Sequence, residues 1–96
     1  MPRLDDAAIA RALEELAGWE REGDALVREF RLKNFREAMA FVNEVAEVAE
    51  ELRHHPDIAI RYNRVRLALT THDAGGVTER DLELARRIDA LVRQAR

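Results

Sequence analysis

The segment ELRHHPDIAIRYNRV, residues 51–65, contains the point at which a helix gives way to a strand. Pro56 disfavours helical geometry at His55 and favours an extended backbone there, so the preceding helix must end near Arg53 or His54. Beyond the proline, apolar residues alternate with others, as in a strand with one buried face. The alternating residues are Ile58, Ile60 and Tyr62. The segment therefore predicts a helix-to-strand junction that carries two adjacent histidines.

Downstream of this junction, the sequence predicts a second strand and then a last helix. Asn63 and Arg64 can turn the chain back, and the strand that follows runs out near His72. Thr78 and Asp81 can then cap a helix. The inward-facing apolar residues are Val65, Leu67 and Leu69 on the strand, and Leu82, Ala85, Ile88, Leu91 and Val92 on the helix. This half of the chain reads as a hairpin followed by a helix.

Upstream of the junction, a similar unit precedes the double histidine. The stretch WEREGDALVREFRL, residues 19–32, predicts a hairpin that turns at Gly23 and Asp24. Asn34 and Glu37 form a capping box for the long amphipathic helix that leads to the histidines. The hairpin-plus-helix unit thus occurs twice.

A first helix precedes both units. Asp5 or Asp6 can cap it, its apolar stripe continues to Leu16, and Gly18 offers a left-handed stop. The resulting order is α-β-β-α-β-β-α, which predicts an α+β fold with one four-stranded antiparallel sheet and three helices on one face. At 96 residues, we expect residues 1–96 to form a single domain.

Composition excludes several functional classes. The net charge is −3, and the 36% of charged residues mix both signs, so we expect no nucleic-acid partner. No apolar run approaches the about 20 residues that span a bilayer, and acidic residues stand where a secretion signal would be apolar. We therefore expect a cytoplasmic protein with no membrane partner. Because the chain has no cysteine, any acid, base or metal ligand must come from other residue types.

All three histidines fall at one end of the second hairpin. Because hairpin strands lie side by side, a residue entering the third strand and one leaving the fourth are neighbours, so His54 or His55 can approach His72. Imidazole, with an ordinary pKa of about 6.5, exchanges protons readily near neutral pH. The cluster favours acid/base chemistry over a structural role.

Two alternatives bear on this cluster. Three imidazoles can hold zinc, but adjacent histidines send their rings apart, so a metal site is the less favoured interpretation. Glu50 lies four residues before His54 and can hydrogen-bond to it or tune its charge. A solvated carboxylate explains the same spacing about as well.

The motifs around these histidines resemble those of the pterin-4a-carbinolamine dehydratase family. The family signature is similar to E-x(3)-H-H-P-x(5)-Y-x(2)-V followed by T-H-x(3)-G-[LV]-[ST]-x(2)-D, and W-x(3)-G-x(2)-L-x-R-x-F lies upstream. The matching residues of the first pattern are Glu50, His54, His55, Pro56, Tyr62, Val65, Thr71, His72, Gly76, Val77, Thr78 and Asp81. The resemblance covers nearly the whole chain and agrees with the α+β fold predicted from the pattern.

The resemblance implies a hydro-lyase that removes water from a 4a-hydroxytetrahydropterin. The product is the quinonoid dihydropterin, which a reductase returns to the tetrahydro form, as in tetrahydrobiopterin recycling. By this likeness His54 and His72 take the acid/base roles, His55 contacts the pterin, and no metal or organic cofactor is needed. An aromatic amino acid hydroxylase is the partner reaction that this chemistry suggests.

The resemblance also suggests secondary roles around the histidines. Pro56 shapes the junction, Thr70 and Thr71 offer polar contacts to the pterin, and Asp81 either orients a histidine or caps the last helix, with the cap preferred. Many relatives have an aromatic residue in place of Ile58, which predicts a change in affinity for a flat ligand. Glu50 completes the residues expected at the substrate site.

The same family suggests assembly and a second class of function. Its members form dimers or dimers of dimers, and we expect a homodimer, with a homotetramer as the next state. Related proteins also act as dimerisation cofactors or assembly helpers, so a non-catalytic module of the same fold is the alternative. Retention of all three histidines favours the enzyme.

Overall fold

The protein is built around one antiparallel sheet with the strand order β1-β2-β4-β3. The computed structural model describes residues 2–95, and side chains from residue 2 to residue 93. The strands are β1 (Glu20–Glu22), β2 (Ala25–Arg31), β3 (Asp57–Arg61) and β4 (Arg64–Leu69), and the helices are α1 (Asp6–Leu13), α2 (Phe35–Leu52) and α3 (Glu79–Ala95). The element order α-β-β-α-β-β-α and the predicted α+β class are confirmed.

The hydrophobic core lies between the helices and one face of the central strands. In the β2–β4 pairing, Leu26 faces Leu69 and Phe30 faces Val65, and all four side chains are buried. The helices contribute Ile9, Ala38, Phe41, Val45, Leu84, Ala85 and Ile88 to the same core. Burial of this face fixes the register, because a shift by one residue would turn it to solvent.

Strand β3 is an edge strand whose five residues are all exposed. Ile58 and Ile60 pair with Leu67 and Val65, which places them on the helix-facing side of the sheet. They are nevertheless 38% and 39% exposed, because the helices do not extend over this edge. An apolar strand edge therefore remains open.

The turn between β3 and β4 lies one residue earlier than the sequence predicted. Arg61 pairs with Arg64, so Tyr62 and Asn63 form the turn, and Tyr62 has a positive φ of +52°. Contacts with Leu32 explain the shift: its N–H donates to the Asn63 carbonyl at 2.8 Å, and the Asn63 amide donates to its carbonyl at 2.9 Å. The turn is thereby tied to the end of β2.

Helix α1 is shorter than its apolar stripe suggested. Asp5 caps it by accepting a 2.8 Å hydrogen bond from the Ala8 N–H, but the helix ends at Leu13. Leu16 is buried all the same, since the chain continues in tighter turns with i to i−3 bonds. Gly18 then has a φ of +91°, and a Cβ there would lie 2.8 Å from Nε of Arg28.

Helix α2 is the long element that leads to the double histidine. The Asn34 side chain accepts a 2.9 Å hydrogen bond from the Glu37 N–H, as a cap for the first turn. Its buried stripe includes Phe41 and Val45. Within residues 2–95, no helix is long and apolar enough to cross a membrane.

Candidate active site

Helix α2 ends in a reversal that turns the double histidine away from the helix axis. Arg53 has a left-handed backbone with φ +52° and ψ +43°. Its N–H donates to the Glu50 carbonyl at 3.2 Å, and the His54 N–H donates to the Ala49 carbonyl at 3.0 Å. This is the Schellman pattern of helix termination. The predicted end of the helix near Arg53 is confirmed, and Pro56 leads the chain on into β3.

The reversal places His54 in the interior, against the beginning of α3. Its Nε2 lies 2.5 Å from Oδ1 of Asp81. His54 is 8% exposed and Asp81 is fully buried. Because an ionised carboxylate can only accept hydrogen bonds, Nε2 carries the proton of this contact. Nδ1 is then the ring nitrogen available for exchange with another molecule.

Asp81 is held by donors on both of its oxygens. Oδ1 accepts the hydrogen bond from His54, and Oδ2 accepts 2.9 Å hydrogen bonds from the Thr71 hydroxyl and from the Thr78 N–H. The Thr78 hydroxyl in turn accepts from the Arg80 N–H at 3.2 Å, which completes a capping box at the start of α3. The helix cap and the histidine contact, treated as alternatives from the sequence, are therefore both made by Asp81.

Neither of the two possibilities that the sequence left open for Glu50, a contact with His54 or a solvated carboxylate, describes its surroundings fully. Glu50 instead pairs with the next residue, with its Oε2 2.6 Å from Nε2 of His55. The i to i+4 spacing failed because the helix stops before His54, and the left-handed residue Arg53 reverses the chain. His55 thereby returns over the last turn of α2, where both partners are exposed.

His72 approaches the other histidines from the end of β4. It begins a one-turn 3₁₀ helix, His72–Ala74, and its side chain is exposed. His54, His55 and His72 together line one cleft of about 250 Å³. Convergence at this end of the hairpin agrees with the sequence prediction. The catalytic roles of the three rings stay predictions.

The two threonines after β4 have different surroundings. The buried Thr71 hydroxyl forms hydrogen bonds with Asp81 and Thr78. The Thr70 hydroxyl instead donates to the Asp24 carbonyl at 2.5 Å. Both residues border the cleft. Thr71 thus reaches the site mainly through the carboxylate that holds His54, and substrate contacts by either threonine stay predictions.

Three charged residues that the sequence did not single out also line the cleft: Arg53, Asp73 and Arg80. Glu50, Pro56 and Asp81, which it did single out, lie outside the lining. Adjacency to His54 and His72 was the only sequence signal for Arg53 and Asp73. Nothing in the sequence indicated that the first turn of α3 would bring Arg80 to the same place.

No group of three histidine, aspartate or glutamate side chains in residues 2–93 is arranged to hold a metal ion. One ring nitrogen of His54 and one of His55 are engaged by carboxylates of different helices, Asp81 of α3 and Glu50 of α2. What the cleft brings together is a buried imidazole–carboxylate pair and two exposed imidazoles. This set is suited to proton transfer.

Comparison with known proteins identifies the family of this chain. The profile of the pterin 4 alpha carbinolamine dehydratase family matches residues 2–91. The chain belongs to this family. A relative from Thermomicrobium roseum is 71% identical over 91 residues, and the match covers 95% of this chain and 98% of the relative. A relative from Sulfolobus acidocaldarius is 46% identical over 89 residues, and the match covers 93% of this chain and 98% of the relative. Both are provisionally named pterin-4-alpha-carbinolamine dehydratases.

Solved structures of this dehydratase family and its relatives have the same fold. A Brucella melitensis protein described as a transcriptional coactivator/pterin dehydratase has a TM-score of 0.89 and 40% identity, covering 93% of this chain and 97% of its own. A pterin dehydratase-like protein described as a RuBisCO assembly factor in the alpha-carboxysome has a TM-score of 0.62 and 26% identity, covering 76% and 84%. The fold thus occurs in proteins with different described roles.

Proposed function

We propose that the protein is a 4a-hydroxytetrahydropterin dehydratase that works by histidine acid/base catalysis. The observation that carries the proposal is the cleft in which His54, fixed by Asp81, shares a wall with His72. A buried carboxylate that orients an imidazole is a recurring device for placing one ring nitrogen toward a substrate. Membership in the dehydratase family supports the same assignment.

The reaction needs two proton transfers on neighbouring atoms of the pterin. The C4a–O bond breaks as a histidine gives its proton to the departing hydroxyl, which leaves as water. A second basic group takes the proton from N5, and the electron pair of the N–H bond forms the C4a=N5 double bond of the quinonoid dihydropterin. The protons balance, so a pair of imidazoles suffices. We assign this pair to His54 and His72, and a pterin contact to His55.

Within a cell, this activity fits the recycling of a tetrahydropterin cofactor, for which tetrahydrobiopterin is the example that the sequence resemblance gives. An aromatic amino acid hydroxylase forms the 4a-hydroxy compound, and the dehydratase product goes to a reductase. We propose that the protein works in this way in the cytoplasm and as a homodimer, without a metal or organic cofactor. The exposed edge of β3 supports the dimer.

The test is dehydration of a synthetic 4a-hydroxytetrahydropterin, followed by the absorbance of the quinonoid product. We expect the protein to exceed the spontaneous rate in proportion to enzyme concentration. Turnover no faster than buffer over the accessible concentration range would refute the enzyme assignment.

A second candidate is a non-catalytic assembly or dimerisation module. It is favoured by the role described for the RuBisCO assembly factor and by the exposed apolar residues of β3. The same assay separates the two candidates, because a module that acts through its surface does not accelerate dehydration. The buried His54–Asp81 pair favours the enzyme, since a surface scaffold does not require it.

A further inference from the structure

Two guanidinium groups border the cleft beside the histidines. Arg53 directly precedes His54, and Arg80 lies in the first turn of α3. One terminal nitrogen of Arg80 donates to the Arg53 carbonyl at 2.5 Å, which holds the two residues together. The two arginines are therefore neighbours in the lining of the cleft.

The Arg53 guanidinium has no partner within the part of the chain that the structure describes. No carboxylate of residues 2–93 lies within 4.0 Å of the side-chain nitrogens of Arg53 or Arg80, and Arg80 has only its bond to the Arg53 carbonyl. Four other arginines of the same residues do pair with carboxylates. The cleft thus retains two positive charges that no carboxylate of the described residues neutralises.

The backbone conformation at Arg53 is unusual for an arginine. Its φ of +52° lies in the left-handed region, which glycine occupies most easily and which helix-ending reversals of this type usually reserve for glycine or asparagine. An arginine there adds strain without forming an ion pair within the described residues. The dipole of α2 would be stabilised by a cation at any position near the end of the helix. It therefore does not explain why an arginine occupies this left-handed position. Such an outlier beside a cleft points to a ligand.

The carboxylates near the arginines leave a positive balance in the cleft. The buried Asp81 is hydrogen-bonded to His54, and Glu50 is hydrogen-bonded to His55. Among the described residues that line the cleft, only Asp73 carries a negative charge, against the two arginines. An anion that enters the cleft therefore meets two donors with planar, fork-shaped geometry, which suits carboxylate and phosphate oxygens.

We propose that the substrate is a pterin whose substituent at carbon 6 carries a carboxylate or a phosphate, which Arg53 and Arg80 bind. This inference rests on the dehydratase function proposed above. The histidines act at C4a and N5, and carbon 6 is bonded to N5. A substituent there begins beside the histidines, within reach of the residue that adjoins His54. The arginines thus select among pterins by charge.

The test compares three stable dihydropterins in binding titrations: the neutral 6-hydroxymethyl compound, its phosphate ester, and the 6-carboxylate. We expect the wild-type protein to bind at least one anionic compound about tenfold or more tightly than the neutral one, as for a charge-assisted contact. This preference should shrink as salt rises. Comparing the two anions tells phosphate from carboxylate.

Variants then identify the groups responsible. Arg53→Gln and Arg53→Gly should each reduce the ratio of anionic to neutral affinity at least several-fold, and the glycine also suits the left-handed backbone, so folding is preserved. Arg36→Gln removes an equal charge from an exposed position at the start of α2 and should keep the wild-type ratio and dehydration rate.

Equal affinity for the neutral and anionic compounds, or a preference that survives in Arg53→Gln, would overturn the proposal. Dehydration of a neutral 4a-hydroxytetrahydropterin is measured in parallel. If that activity is present but the charge preference is absent, the inference fails and the dehydratase stands. If no pterin binds and none is dehydrated, both fail.

Discussion

His54 and Asp81 meet through a 2.5 Å hydrogen bond although 27 residues separate them in the sequence. The contact joins the end of α2 to the first turn of α3 and determines which imidazole nitrogen faces the cleft. We expect Asp81→Asn to lower kcat for dehydration about tenfold or more, because an amide can present its N–H to Nε2 and favour the other tautomer. KM should change much less.

Asp81 also caps α3, so its effect on folding needs a matched control. Asn34→Ala removes the cap of α2 at a site away from the cleft and should cost about 1 kcal/mol of stability with an unchanged kcat. The decisive measurement is the double variant: in a His54→Ala background, Asp81→Asn should lower kcat little further. Full additivity of the two losses would mean that Asp81 acts through the fold alone.

Removal of either proposed acid/base histidine should slow dehydration without unfolding the protein. We expect His54→Ala and His72→Ala each to lower kcat by roughly 100-fold or more, the range for a lost acid or base. His55→Gln should instead raise KM more than it lowers kcat. Steady-state kinetics, with circular dichroism as the folding check, tests this. Wild-type turnover in either alanine variant would remove that histidine from the mechanism.

Dehydration should be independent of metal. One ring nitrogen of His54 and one of His55 are already engaged by carboxylates of different helices, and no three histidine, aspartate or glutamate side chains in residues 2–93 are arranged to hold an ion. Prolonged dialysis against a chelator is expected to leave kcat unchanged. Activity that disappears on dialysis and returns with zinc would identify a metal site instead.

The open edge of β3 should be the contact of a homodimer. Its unpaired backbone groups and the exposed Ile58 and Ile60 offer a strand-to-strand surface under two-fold symmetry. Light scattering at micromolar concentration should give about twice the chain mass, and Ile60→Lys should reduce the measured mass to that of one chain.

The control variant is Arg31→Glu, on the opposite face of the sheet, which should leave the measured mass unchanged. Dissociation by Arg31→Glu alone would assign the contact to that open face, and a wild-type monomer would refute the dimer.

A second polar junction, at Asp89, should govern stability rather than activity. Its Oδ1 accepts 2.9 Å bonds from Nε1 of Trp19 and from the Arg28 guanidinium, which also stacks 4.4 Å from the Phe30 ring centre. Asp89→Ala leaves the buried indole N–H without an acceptor and should destabilise the fold by roughly 2 kcal/mol. Urea unfolding at one protein concentration measures this.

The control for that measurement is an ion pair on the exposed sheet face. Glu22 pairs with Arg66 at 2.7 Å, but both side chains are about half exposed. Glu22→Gln should therefore change the unfolding free energy by less than about 1 kcal/mol. Equal losses in the two variants would show that burial does not distinguish the two contacts.

Local sequence patterns were sufficient for the order of helices and strands and for the place of the histidines. Pro56 indicated where α2 ends, alternation indicated β4, and the pairing of neighbouring hairpin strands predicted that His72 approaches the double histidine. Turn and helix ends were less accurate, since the β3–β4 turn depends on Leu32 and the end of α1 on tighter turns. These boundaries rest on hydrogen bonds that propensity does not encode.

By itself, then, the sequence determined the α+β fold and the three-histidine end of one hairpin, because both follow from residue periodicity and chain connectivity. Tertiary structure alone decided the partner of each histidine. The left-handed turn at Arg53 cancelled the helical spacing that pointed Glu50 at His54, and the packing of α3 against α2 supplied Asp81 and Arg80 instead. A hydrogen bond depends on atoms meeting within about 3 Å, and only the folded backbone fixes distances that fine.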